Sequence, residues 1–153
     1  MRMLVQRVRN AKVTVGGEAV GVLDHMGYLV FLGVCDADDE SIAERMVSKL
    51  VNLRIFEDEN GKTNKNLQSI GGGVLVVSQF TLYADCHHGN RPSFIKAGNP
   101  DHANALYEKT LDLLRSAIGS DQVSHGIFGA DMQVSLVNDG PFTIWLDSDE
   151  ILH

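Results

Sequence analysis

The chain has 153 residues, 44% of them apolar and 22% charged, with three prolines. It reads as one folded domain over residues 1–153, which excludes a disordered, collagenous or low-complexity polymer. Thirteen Lys and Arg against twenty Asp and Glu leave a net charge of −7, excluding a surface that binds phosphate everywhere while allowing a local basic patch. No run approaches the roughly 18 apolar residues that span a bilayer. The start MRMLVQRVRN is charged where a signal peptide needs its apolar stretch. The expectation is a cytoplasmic protein with no membrane partner. Two cysteines, Cys35 and Cys86, are too few for a disulfide framework and fit a reducing compartment.

Short β-rich pieces, Met3–Val8, Val13–Val15 and Val20–Leu23, broken by Gly16-Gly17, predict an opening meander. Gly27–Cys35 is almost wholly apolar, as a strand covered on both faces would be. Ile42, Met46 and Leu50, with Ala43, Val47 and Val51, recur at four-residue spacing and predict an amphipathic helix, its capping box formed by Ser41 and Glu44. Asn60-Gly61 marks a tight turn, and Gly71–Gly73 releases the chain into a strand over Val74–Tyr83. After the polar loop Ala84–Asn99, Asn99-Pro100 supplies a cap and first-turn proline for a second helix. Its stripe is Ala103, Leu106, Tyr107, Leu111, Leu114 and Ile118, and Gly119 ends it. Met132–Val137 and Phe142–Leu146 read as two strands separated by Asn138-Asp139-Gly140-Pro141. These elements predict an α+β fold of β-rich sheets, barrel-like or sandwich, covered by two main amphipathic helices.

The serine-hydrolase elbow, the P-loop, the dinucleotide fingerprint and the H-E-x-x-H helix are all absent. Asp85-Cys86-His87-His88 has metal-ligand residue types, but neighbouring side chains diverge, and His102 and His125 complete no familiar ligand spacing. No metal is expected. Ser78, Gln79, Thr81 and Tyr83 place polar groups on an otherwise apolar strand, where each must find a partner. In a regular strand Ser78 and Phe80 face one side and Gln79 and Thr81 the other, so one pocket uses them all only through a bend or through backbone groups. Gly140-Pro141 fits either a tight turn or a rigid element of a binding site.

SQFTLY (Ser78–Tyr83) and NDGPFT (Asn138–Thr143) together resemble the two signature motifs of the D-aminoacyl-tRNA deacylases. RIFEDENGK (Arg54–Lys62), GNRPSF (Gly89–Phe94) and FGADMQVSLVNDGP (Phe128–Pro141) extend the resemblance, in order, over the whole chain. DCHH (Asp85–His88) matches no pattern of that family. The resemblance implies an enzyme that hydrolyses the ester of a D-amino acid, or glycine, on tRNA and so proofreads translation. It further implies a homodimer in which Gly140-Pro141 of one subunit, through a cis bond, reaches into a pocket of the other and excludes L-amino acids. Ser78, Gln79, Phe80 and Thr81 would line that pocket, with Met132 as a neighbour, and neither a metal nor an organic cofactor would be used. Thr81 would position groups rather than attack, since no base accompanies it. Arg2, Arg7, Arg9 and Lys12 precede the first acid, so Arg7 and Arg9 are the candidate tRNA contacts on this reading, with no role for DNA. Two other functions fit the same motifs: a binding module without turnover, and a deacylase of relaxed chirality that removes L-alanine.

Overall fold

The computed structural model describes residues 1–152. Its backbone begins with β1 (Arg2–Val15), β2 (Glu18–Leu23) and β3 (Gly27–Gly33), followed by α1 (Glu40–Asn52). A hairpin of β4 (Phe56–Glu57) and β5 (Thr63–Lys65) leads to β6 (Gly73–Ser78), then α2 (Pro100–Ile118) and β7 (Val123–His125). β8 (Gln133–Asp147) and the single-turn α3 (Ser148–Ile151) close the order. The result is an α+β architecture with a nearly closed, barrel-like sheet.

β1 organises the sheet. It runs antiparallel to β8 along almost its whole length, from Arg2 against Asp147 to Thr14 against Gln133. β8 occupies one edge of β1, so the opposite edge is shared, β3 pairing with Arg2–Val8 and β2 with Ala11–Val15. β3, β6 and β7 then run parallel, joined by crossovers that carry α1 and α2. β2 curls round to meet β7: Ser124 Oγ donates to Val22 O at 2.7 Å, and a Cβ on Gly21 would lie 2.3 Å from His125 O. Only glycine allows that approach.

Alternation along the strands divides the interior. Met3, Val5, Tyr28, Val30, Leu32, Val74 and Val76 face the helices and pack with Met46 and Leu50 of α1 and Leu111 and Leu114 of α2. Val8, Ala11, Val13, Leu29, Leu75 and Val77 point to the other side and fill the barrel. Full burial of one such Leu or Val contributes about 1.5–3 kcal/mol, so both cores are substantial.

Four local expectations are corrected. Two pieces of the opening meander, Met3–Val8 and Val13–Val15, are one 14-residue strand, while Val20–Leu23 falls in the separate β2: Arg9 and Asn10 are exposed but keep β1 in its ladder, and the inward face changes parity between Val5 and Val8. Asp39, not Ser41, caps α1, accepting from Ile42 N at 2.8 Å. The strand expected over Val74–Tyr83 stops at Ser78 and turns into a 3-10 helix, Phe80–Tyr83. The two strands expected after Met132 are one, interrupted by a large bulge: Gln6 pairs with Thr143 and Val8 with Asn138, so Asp139–Phe142 are thrown out of the ladder. α2 agrees with expectation, capped by Asn99, with Pro100 in its first turn and Gly119 at its end.

Candidate active site

β6 leaves the core at Ser78 with nothing to continue the ladder, and the backbone bends at Gln79, whose N–H donates to Leu32 O at 2.8 Å. The 3-10 helix that follows keeps its first bond for Leu82 N, donating to Gln79 O at 3.3 Å. The N–H groups of Phe80 and Thr81, first in the turn, have no acceptor within it. This bend resolves the facing problem of a regular strand and brings Ser78, Gln79 and Phe80 to one rim.

The rim opens on a cavity of about 560 Å³. Its floor comes from Leu32, Val34 and Val77 at the ends of two parallel strands, its sides from Pro100, Ala103 and Tyr107 of α2, and its far wall from Phe128–Ala130 and Met132. Phe80 stands half-exposed at the mouth, edge-on to Phe94 with ring centroids 5.1 Å apart. Tyr107 and Phe128 form a second aromatic pair at 5.9 Å. The loop carrying Phe94 is fastened by the bridge between Asp85 and Ser93, 2.7 and 2.9 Å, and by Lys96 on the Asp85 carboxylate at 2.9 Å. Lys96, and then the His87 N–H, hold the Asp85 carboxyl below its usual range.

Among the described residues, Tyr107 is the only ionisable side chain on the cavity wall. Burial pushes its phenol upward, so it stays protonated and donates to Val76 O at 3.2 Å. Among the described residues the cavity therefore offers hydroxyl, amide and backbone groups and an apolar surface, and no carboxylate or imidazole lines it.

Ser78, Gln79, Phe80 and Met132 are brought together at this cavity; Thr81 is not on its wall. Thr81 is exposed beside the mouth, its hydroxyl accepting from Gln79 Nε2 at 2.6 Å. Gly140 and Pro141, joined by a cis peptide, do not line the cavity of their own chain. Both are exposed at the crest of the β8 bulge.

That bulge is braced from beneath. Asn138 accepts from Phe142 N at 2.7 Å and donates to Phe142 O at 3.1 Å. Arg7 is buried, its guanidinium stacked on the Phe142 ring at 4.7 Å and donating to Asp139 O at 2.9 Å and Ile55 O at 2.6 Å. Arg9 is exposed and pairs with Asp139 at 3.0 Å. Both arginines therefore lie beside the bulge, Arg7 buried against internal acceptors and Arg9 exposed with one ion pair to Asp139.

The remaining polar candidates are dispersed. His87 and His88 pack edge-on at 4.6 Å on the exposed loop, His102 Nε2 bonds Asp38 O at 3.0 Å, and His125 Nδ1 bonds Gly126 O at 2.6 Å. Among the described residues, no three His, Cys, Asp or Glu side chains converge on a point where a metal would sit. Cys35 and Cys86 are free thiols. Among the described residues no helix is long and apolar enough to cross a membrane. Phe94, Tyr107 and Phe128–Ala130 are cavity residues that motif reasoning did not single out, although GNRPSF and FGADM contain most of them.

An aromatic-walled cavity beside a strand-to-turn bend, set in a barrel-like α+β fold, is the arrangement on which comparison with known proteins bears. The sequence model of the family described as D-Tyr-tRNA(Tyr) deacylase matches residues 4–147, and the chain belongs to that family of ester hydrolases. The D-aminoacyl-tRNA deacylase of Thermus aquaticus is 51% identical over 150 residues, covering 98% of this chain and 97% of that protein. The one from Stutzerimonas stutzeri is 51% identical over 148 residues, covering 97% and 100%. The solved structure of the c-Myc DNA Unwinding Element Binding Protein superposes with a TM-score of 0.91 at 42% identity, covering 97% of this chain and 99% of its own. A structure described as a "probable eukaryotic D-amino acid tRNA deacylase" shares the fold, with a TM-score of 0.82 at 18% identity, covering 95% and 97%.

Proposed function

We propose that the protein hydrolyses the ester of D-aminoacyl-tRNA, and of glycyl-tRNA, as a homodimer whose two sites are each completed by the partner's bulge. The observation that carries this reading is the separation of two complementary parts. One chain has a cavity with an open mouth, and the same chain holds Gly140-Pro141 out in solvent on a braced support, away from that cavity. A second copy, related by two-fold symmetry, offers each part the other. The reading assigns the enzyme to the cytoplasm, where thiols stay reduced.

The chemistry follows from what the cavity lacks. An aminoacyl ester is already activated, so a site that orients it and stabilises the developing oxyanion suffices without a covalent intermediate. Water adds to the carbonyl carbon, the bond to the ribose oxygen breaks, and the proton released by water goes to that oxygen. Backbone N–H groups of the Phe80–Thr81 turn suit the oxyanion, and the ribose hydroxyl beside the ester helps to orient the water. Gln79, steadied by the Thr81 hydroxyl, suits the substrate's polar groups.

Chirality is then a matter of exclusion. A pocket that grips only the amino group and the ester treats both enantiomers alike, so a third, rigid contact must stand where the L side chain would point. Gly140-Pro141 of the partner supplies that wall, and glycine, having no side chain, passes it. The deciding experiment is deacylation of D-tyrosyl-, L-tyrosyl- and glycyl-tRNA in excess chelator. Turnover of the first and third with the second spared supports the reading. Binding without turnover reduces the protein to a recognition module, and equal D and L rates remove the chiral wall.

A further inference from the structure

The thirteen basic residues divide by what they touch. Of the basic residues before the first acid, Arg2, Arg7 and Arg9 each lie against a carboxylate, Asp147 or Asp139, at 2.8 to 3.4 Å, while Lys12 stands alone on β1 with no ion pair among the described residues. Among the described residues Arg45, Lys49 and Arg54 have no carboxylate partner, and all three line a single groove of about 540 Å³. The groove runs between the last turns of α1 and the chain end at Ile151–Leu152, with Ser48 and Asn52 on its wall. Arg45, Lys49 and Asn52 fall on one outward stripe of α1, and Arg54 is held in place by the carbonyl and side chain of Asn64. Asp149 and Glu150 are exposed on the neighbouring α3, yet neither reaches ion-pair distance of these cations. On a chain of net charge −7, three cations without an ion pair among the described residues are a local concentration of positive charge.

The position of the groove is as informative as its charge. α1 starts just beyond the end of β3 that floors the cavity and runs for 13 residues, so its last turn, at the far end of the groove, lies about 20 Å along the helix from that start. The groove adjoins the bulge: Arg54 precedes Ile55, Ile55 O accepts from Arg7, and Arg7 holds Asp139, next to Gly140. A bulge seated in the partner's cavity therefore carries its groove to the mouth of that cavity.

We propose that the Arg45–Lys49–Arg54 groove of one subunit binds the phosphate backbone of the tRNA whose aminoacyl ester occupies the other subunit. This rests on the in-trans reading above. Each tRNA then bridges the two subunits, its ester in one and its stem on the other. The few cations make the contact weak and salt-sensitive, so a proofreading enzyme releases tRNA readily.

The test compares wild type with Arg45→Gln/Lys49→Gln, and with a second variant that adds Arg54→Gln. The side chains of Arg45 and Lys49 make no hydrogen bond or ion pair among the described residues, so the double variant should melt where wild type does. Binding of uncharged tRNA is measured across a salt series, beside hydrolysis of D-tyrosyl-tRNA and of a D-tyrosyl ester of adenosine. The expected result is a log–log salt slope shallower by about one unit per lost phosphate contact. KM for the tRNA ester should rise about tenfold with kcat retained, and the phosphate-free adenosine ester should be cleaved as before. An unchanged slope and KM would overturn the proposal, as would their change in Arg9→Gln/Lys12→Gln alone. Equal weakening toward duplex DNA would show a general polyanion surface and also overturn it. Failure of wild type to cleave either ester would sink the deacylase reading instead, while the salt slope still reports on the groove.

Discussion

At Ser78 a buried strand stops and folds its polar residues over a cavity; at Asp139 a half-exposed strand swells outward and lifts Gly140 and Pro141 into solvent. The first interruption is concave and lightly held, Gln79 and Thr81 bonding to each other across an exposed rim. The second is convex and firmly held, with Asn138 bonding it from within and Arg7 from below. A surface loop needs no buried guanidinium to keep its shape. On the in-trans reading proposed above, the bulge presents a fixed edge to the partner, and the buried guanidinium suits that task. The contrast is between a rim bonded mainly to itself and a crest braced from within and below, and the proposed division of labour, substrate site against chiral wall, follows that difference.

Reshaping the crest should break the comparison most sharply. Gly140 has φ +152, and a Cβ there would lie 2.7 Å from Phe142 N, so Gly140→Ala must displace the crest. Hydrolysis of the D-ester should fall about 1000-fold, while the exposed site leaves the melting temperature nearly unchanged. Wild-type rates and D-over-L preference in that variant would make the bulge an ordinary turn. On the concave side, Gln79→Ala should cost about 100-fold and Thr81→Ala about tenfold, because the hydroxyl only steadies the amide. Trapping an acyl group on Thr81 would show that covalent catalysis had been missed.

Smaller effects separate support from crest. Arg7→Ala leaves Asp139 O and Ile55 O short of a charged donor and should cost about 2–3 kcal/mol in denaturant unfolding, with weakened discrimination between D- and L-esters. Arg9 makes the analogous bond from an exposed position, its side chain 68% accessible, and Arg9→Gln should change stability by less than about 1 kcal/mol and activity hardly at all. Equal losses for the two arginines would show that burial is not what stiffens the bulge.

The sequence makes the apolar half of this molecule legible and hides its interruptions. The helix stripes, the Asn99-Pro100 start of α2 and the doubly buried β3 follow from periodicity and capping, because they are repeated local signals. The end of β6 at Ser78 could not be read from SQFTLY, whose β-favouring residues continue past the point where the sheet runs out of partners. Nor could the unity of β8: Asn138-Asp139-Gly140-Pro141 has turn chemistry, but β1 extends past it and supplies ladder on both sides. Motif resemblance located the cavity rim, since those residues are adjacent in sequence. The clustering of cations before Glu18 did not reveal that Arg7 is buried, because the groups it bonds, Ile55 O and Asp139 O, lie 48 and 132 residues away.

The central claim, that each site is built from two chains, is tested most directly by mixing inactive proteins. Gln79→Ala is defective in the cavity and Gly140→Ala in the bulge, and the two are unfolded and refolded together so that subunits exchange at random. About half of the resulting dimers are then mixed, each with one doubly defective site and one intact site, and activity should recover to about a quarter of wild type. Activity that stays at the average of the two separate variants, in a sample shown by light scattering to be dimeric, would mean that each chain completes its own site.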